Sequence, residues 1–167
     1  MEEASEAVVY VLDVFSGIGG FSLGLERAGL QTIAFTESNL FCQDVLRKHW
    51  PQTPIWNDIH ELNAESIQYA CLPKPDVVCG GFPCQAFSTA SHGNRTARDV
   101  WPEMARLIGE IGPAWVLGEN VPGIGVEGVD RVCADLDGAG YTTVVLTFDV
   151  SPPGRSRGRR RILFLAY

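Results

Sequence analysis

The chain contains no apolar run approaching the roughly 18 residues that a membrane helix needs, so no membrane span is expected. Its start, Met1 to Glu6, is acidic and polar, unlike the cationic and apolar regions of a signal peptide. Residues 1–7 are expected to form a disordered tail. Five cysteines (Cys42, Cys71, Cys79, Cys84 and Cys133) show no paired spacing, and only three histidines accompany them. That argues against a disulfide framework, and against zinc, which favours Cys-x-x-Cys pairs and clustered histidines. No metal is expected, none of His49, His60 and His92 is given a role, and reduced thiols indicate an intracellular, cytoplasmic setting. Also missing is Gly-x-x-x-x-Gly-Lys-Ser/Thr, which disfavours a nucleoside triphosphate. A phosphatase-type Cys-x5-Arg loop is absent too, because Ala90 stands where the arginine would be.

Positive charge is scarce: 13 Lys and Arg face 20 Asp and Glu, for a net charge of −7. A nucleic-acid-binding chain usually shows a basic footprint. Here five of the thirteen basic residues are Arg155, Arg157, Arg159, Arg160 and Arg161, leaving eight against twenty acidic residues elsewhere. If the partner is nucleic acid, that cluster is the anchor, helped by Arg95 and Arg98. The competing reading is a solvated charge run.

What is present fits a single α/β domain. The 167 residues are 46% hydrophobic and 20% charged, ordinary for a soluble fold and enough to bury roughly 70% of the unfolded surface. Short β-branched runs at Val8 to Val14, Thr32 to Thr36, around Ile55, Val77 to Cys79 and Trp115 to Leu117 alternate with helical spacing. The helical segments are Phe21 to Ala28, Asn39 to His49, Trp101 to Ile111 and Val129 to Leu136. Thr142 to Val150 and Ile162 to Tyr167 are β-rich and flank the Pro- and Arg-rich link Ser151 to Arg161. Alternation of this kind predicts a mainly parallel sheet with helices on both faces.

In such sheets ligands bind beyond the carboxyl ends of the strands. Gly17, Gly19 and Gly20 follow the first strand and would let the backbone approach a ligand. Glu37 ends the second strand at the separation, about 20 positions, that nucleotide folds place between glycine loop and ribose-binding acid. Asp58 follows the third strand and could accept from an adenine amino group, with Ile59 against the ring. A nucleoside cofactor follows, although spacing alone leaves a dinucleotide open.

The most telling stretch is Gly80-Gly81-Phe82-Pro83-Cys84-Gln85-Ala86-Phe87-Ser88, directly after the strand Val77 to Cys79. It puts Cys84 on a loop at a strand mouth, beside two flexible glycines and a stiff proline, where a thiol can act as a nucleophile. An inert buried cysteine is the alternative. Taken with Asp13-Val14-Phe15-Ser16-Gly17-Ile18-Gly19-Gly20-Phe21 upstream and Glu119-Asn120-Val121 downstream, the segment resembles the motif series of the cytosine-C5 DNA methyltransferases. The resemblance runs from about Val8 to Ala166.

The resemblance implies a Rossmann-like methyltransferase fold, a mainly parallel twisted sheet with an antiparallel last strand and helices on both faces. It also implies S-adenosylmethionine as cofactor, with Phe15 and Pro83 beside it, and a DNA substrate in a restriction-modification setting. The Cys84 thiolate would add to C6 of a flipped-out cytosine, and the resulting enamine would take the methyl group at C5. Glu119, read as lying just past the Trp115 to Leu117 strand, would hydrogen-bond or protonate N3, a role that asks for a raised pKa. Arg161 with Arg159 would hold the base's O2, both facing one way in an extended segment. Asn120 would fix the loop. Gln85, Ser88, Arg95, Arg98, Arg155 and Arg157 would meet nucleic acid, with residues 88–99 closing over the base.

Two departures stand out. The family's Pro-Gln-x-Arg-x-Arg segment is here Pro152-Pro153-Gly154-Arg155-Ser156-Arg157-Gly158-Arg159-Arg160-Arg161, without the glutamine. Residues 8–167 are expected to form a catalytic domain lacking the family's target-recognition domain and the late helix near its first strand. A short self-sufficient enzyme, the catalytic half of a split enzyme with a second polypeptide, or a homo-oligomer all fit. The alternatives are a non-catalytic cofactor- or DNA-binding regulatory module and an RNA cytosine methyltransferase.

Overall fold

A computed structural model describes residues 7–83, 99–151 and 158–167. Five parallel strands come first: β1 (Tyr10–Val14), β2 (Gln31–Thr36), β3 (Ile55–Trp56), β4 (Val77–Gly81) and β5 (Trp115–Asn120). β6 (Thr143–Asp149) and β7 (Arg160–Ala166) complete a seven-stranded sheet in the order β3-β2-β1-β4-β5-β7-β6. β7 runs antiparallel to both of its neighbours. This is the expected α/β methyltransferase arrangement, with its reversed last strand inserted between β5 and β6.

The helices are α1 (Gly20–Arg27), α2 (Leu40–His49), α3 (Ala64–Tyr69), α4 (Trp101–Ile111) and α5 (Gly125–Gly138). Alternation along the strands sorts side chains to two faces. Leu12, Val14, Val78, Val116 and Phe164 point to the larger core, where α3, α4 and α5 contribute Ile67, Met104, Leu107, Ile108, Val132 and Leu136. Val11, Val77 and Cys79 point the other way, against Phe21 and Leu25 of α1. On that side Leu46 of α2 is fully buried, and Phe35 of β2 meets Trp50 edge-on at 5.3 Å.

Beyond α1 no described element covers the second face. Register places Trp115, Tyr167, Val144, Leu146 and Phe148 together there, each between 37% and 52% exposed. The Trp115 and Tyr167 rings pack on one another at 5.2 Å. Contiguous apolar surface of this kind is unusual on a monomer.

Three boundaries differ from the sequence reading. α3 was not expected: six residues give little periodicity, and a capping box between Asn63 and Ser66 holds it. β5 continues through Asn120, because hydrogen bonding to β4 on one side and β7 on the other outweighs the poor strand preference of Gly118, Glu119 and Asn120. Glu119 therefore sits within the strand, not past it. Gly80 and Gly81 belong to β4 and are not flexible hinges: a Cβ at Gly80 would lie 2.3 Å from the Val14 carbonyl, and one at Gly81 3.1 Å from the Glu119 carboxylate. Their role is close approach between strands.

Candidate active site

Because β1 to β5 are parallel and β7 is reversed, the ends of the first five and the start of the last share one edge of the sheet. There lies a cleft of about 300 Å³, at the lower end for small-molecule sites. Phe15, Glu37, Asp58, Ile59 and Pro83 line it, together with Thr36, Ser38, Asn57, His60, Gly81 and Val100. Phe15 adopts a left-handed backbone, φ 53°, strained for a bulky residue. Its N–H donates to the Thr36 hydroxyl at 3.2 Å.

Glu37 is held by backbone donors. Its Oε2 accepts from Gly17 N–H and its Oε1 from Asn39 N–H, both at 2.7 Å. A carboxylate offers about four lone-pair sites, so ligand hydroxyls can join these. Gln43, buried on α2, was not foreseen. Its Nε2 donates to the Glu37 carbonyl at 2.6 Å and to Asn57 Oδ1 at 2.9 Å, tying together the ends of β2 and β3. Asp58 Oδ1 accepts from His60 N–H at 3.0 Å and lies 2.6 Å from His60 Nδ1. His60 Nε2 is 3.7 Å from Glu103. The sequence reading gave His60 no role; Asp58 stands two residues before it, and α4 brings Glu103 to its other nitrogen.

The three loop glycines separate on inspection. Gly17 (φ +54°) and Gly20 have open space where a Cβ would go. At Gly19 (φ +84°) a Cβ would sit 2.6 Å from the Trp50 ring and 3.0 Å from Leu46. Gly19 thus answers to protein packing, and the Trp50 indole N–H is itself fixed by Glu26 at 2.8 Å.

A second group lies on the same sheet edge. Arg161 Nε meets Glu119 Oε1 at 2.6 Å, with the two side chains 22% and 28% exposed. Next to them on β5, Asn120 Nδ2 donates to the Phe82 carbonyl at 3.0 Å, and its Oδ1 accepts from Val121 N–H at 2.8 Å. The segment Phe82–Pro83 leading to Cys84 is therefore pinned to β5. Arg159 is exposed, and its N–H donates to Asp149 at 3.0 Å and to the Ser151 hydroxyl. The described side-chain ion pair to Glu119 is made by Arg161. Cys84, Gln85, Ser88, Arg95, Arg98, Arg155 and Arg157 lie outside the described residues. Among those described, no group of three or more His, Cys, Asp or Glu side chains is placed to hold a metal. No described helix is long and apolar enough to cross a membrane.

Comparison with known proteins agrees with this geometry. The profile of the C-5 cytosine-specific DNA methylases matches residues 9–167. The chain is 30% identical over 164 residues to the Type II methyltransferase M.FnuDI of Fusobacterium nucleatum, covering 94% of the chain and 46% of that protein. To M.Eco47II of Escherichia coli it is 36% identical over 149 residues, covering 83% of the chain and 34% of the relative. A prophage-encoded E. coli protein described as a DNA modification methyltransferase superposes with a TM-score of 0.78 at 28% identity, covering 95% of the chain and 46% of the other. The chain spans about half or less of the length of these relatives.

Proposed function

The chain belongs to the C-5 cytosine-specific DNA methylase family, and on that premise we propose that it carries the cofactor and chemistry half of a DNA cytosine-C5 methyltransferase. The observation that bears most weight is the Glu119–Arg161 pair beside the pinned Phe82–Pro83 segment. It supports a carboxyl and a guanidinium converging on the base that Cys84 would attack.

The cleft fits a nucleoside: Phe15 and Ile59 offer apolar walls, Glu37 an acceptor for ribose hydroxyls, and Asp58 an acceptor for an amino group. When bound there, S-adenosylmethionine supplies an electrophilic methyl group. The remaining work belongs to the chain. The Cys84 thiolate adds to C6, Glu119 in its protonated form donates a hydrogen bond or proton at N3, and Arg161 holds O2 and orients Glu119. The enamine so formed would take the methyl group at C5, the carbon–sulfur bond of the sulfonium breaking with its electron pair left on the neutral thioether. Loss of the C5 proton to a base and expulsion of the thiolate then restore the ring.

Target recognition we assign to polypeptide other than residues 8–167. The sheet face of β5, β7 and β6, which no described element covers, supports a covering element, whether in the same polypeptide, a partner or a second copy. Free thiols at Cys42, Cys71, Cys79 and Cys133 suit a reducing, intracellular setting.

The test is methyl transfer from radiolabelled S-adenosylmethionine to mixed-sequence DNA, wild type beside Cys84→Ala. Label that requires Cys84 is the expected result. Transfer that survives the substitution would sink the covalent mechanism.

A further inference from the structure

Asp13 is the one fully buried acid of the described residues, and the mechanism above makes no use of it. It stands near the end of β1, where the chain turns into the glycine loop. Its Oδ2 accepts from the Ser22 hydroxyl at 2.7 Å and from Ser22 N–H at 3.3 Å. Ser22 lies in the first turn of α1, whose N-cap is Gly19. A glycine has no side chain with which to cap a helix, and Asp13 supplies the missing acceptor from across the loop. Ser16 Oγ closes the bracket on the other side, donating to the Asp13 carbonyl at 2.6 Å.

The carboxyl is poorly compensated. Among the described residues no hydrogen bond of normal geometry reaches its Oδ1, and the weak donor Cys79 is the one further hydrogen-bonding side chain beside it. The groups that face it are Ser22 from α1, Cys79 from β4 and Glu37 from the end of β2. Of these the titratable ones carry no charge or a negative one, so among the described residues no side-chain cation faces the carboxyl. Burial accordingly raises the Asp13 pKa to about 7, with Glu37 adding to the rise, and pushes the neighbouring Cys79 thiol well up.

We propose that Asp13 is a positioning residue for the cofactor loop, one whose grip on Ser22 holds the glycine loop and the start of α1 in place beside a nucleoside cofactor seated against Phe15 and Glu37. This rests on the cofactor reading above. In its ionised form the carboxylate grips both Ser22 donors and sets the angle at which α1 leaves the loop. Protonation loosens that grip, which favours binding at higher pH.

The experiment is titration of S-adenosylmethionine into the full chain across about pH 6 to pH 8, for wild type, Asp13→Asn and Ser22→Ala, with circular dichroism confirming the fold. If only the ionised form is competent, wild-type affinity rises by up to roughly tenfold across that range. Comparison with Asp13→Asn, whose profile is expected to lack this rise, cancels the cofactor's own titration. Ser22→Ala removes one donor to the charged form and is expected to move the midpoint to higher pH, a displacement that a purely structural serine would not cause. Tight binding with identical pH profiles in wild type and Asp13→Asn would overturn the proposal and leave the cofactor reading intact. An unmoved midpoint in Ser22→Ala would also overturn it. No binding by wild type at any pH would take down the cofactor reading and the role given to Asp13 together.

Discussion

Substitution of the loop glycines one at a time separates what the fold demands from what a ligand demands. At Gly19 an alanine faces two costs. The left-handed backbone, φ +84°, costs an L-residue roughly 1–2 kcal/mol. Its Cβ would also sit 2.6 Å from Trp50 and 3.0 Å from Leu46, and forced overpacking typically costs about 1–3 kcal/mol. Trp50 cannot swing away cheaply, since it is packed on Phe35 and bonded to Glu26. The expected loss is roughly 2–5 kcal/mol, a large share of the 5–15 kcal/mol a domain possesses. At Gly17, with φ +54° and no atom near the new Cβ, only the backbone cost of roughly 1–2 kcal/mol applies. Gly20→Ala places alanine in open space at the first position of α1 and is expected to be neutral or stabilising by up to roughly 1 kcal/mol.

The assay is urea unfolding of the three variants, paired with S-adenosylmethionine titration of each. Gly19→Ala should lower the unfolding midpoint by roughly 1–2.5 M at a slope of about 2 kcal/mol per molar. On the proposed reading that the glycine loop approaches the cofactor, Gly17→Ala and Gly20→Ala should lose cofactor affinity out of proportion to stability, since a Cβ at either meets no protein atom. Adding Trp50→Leu to Gly19→Ala should cost less than the sum of the two single losses, the signature of a relieved clash. Equal midpoints for Gly19→Ala and Gly17→Ala, or strict additivity with Trp50→Leu, would refute the packing argument.

The Glu119–Arg161 pair should govern turnover and leave cofactor binding alone, since neither side chain lines the cleft. Glu119→Gln is expected to lower kcat by roughly 10²–10⁴-fold, the range for a lost general acid. Arg161→Ala should act in the same direction, and an unchanged kcat in either, measured by single-turnover methyl transfer, would remove the pair from the mechanism. A second expectation concerns pH and stability. Asp13 moves from its ordinary 3.8 to about 7 on folding, so the folded state holds its proton more tightly than the unfolded state. The stability this confers is complete below about pH 3.8 and is lost as pH rises to about 7. The full span is worth roughly 4 kcal/mol, with a flat dependence above it. Urea unfolding between about pH 5 and pH 8 should show this slope as a difference between wild type and Asp13→Asn; parallel curves would count against a buried, protonated Asp13.

The sheet was legible because its strands are short apolar runs punctuated by glycine and proline, and the order of glycine loop, Pro-Cys segment and Glu-Asn pair marked the strand ends that form one edge. Phe15, Glu37, Asp58, Ile59 and Pro83 meet around the cleft because the parallel topology sends each strand's end to the same place. Local pattern failed wherever a residue's purpose is set by a segment far along the chain. Gly80 and Gly81 looked like loop residues, yet both lie in β4, where the Val14 carbonyl fixes Gly80 as glycine and the Glu119 carboxylate crowds Gly81. Glu119 and Asn120 carry no strand signal of their own and are drawn into β5 by two neighbours. Gln43 ties Glu37 to Asn57 behind the cleft, and His60 meets Glu103, only when β2, β3 and α4 are assembled. Asp13 is the sharpest instance. It heads a motif readable at sight, but its connection to Ser22 nine positions on, across the loop that both residues shape, exists only once α1 folds back over β1. The residues that touch a ligand can be found from strand ends; those that decide how firmly the loop is held have to be found from what lies behind it.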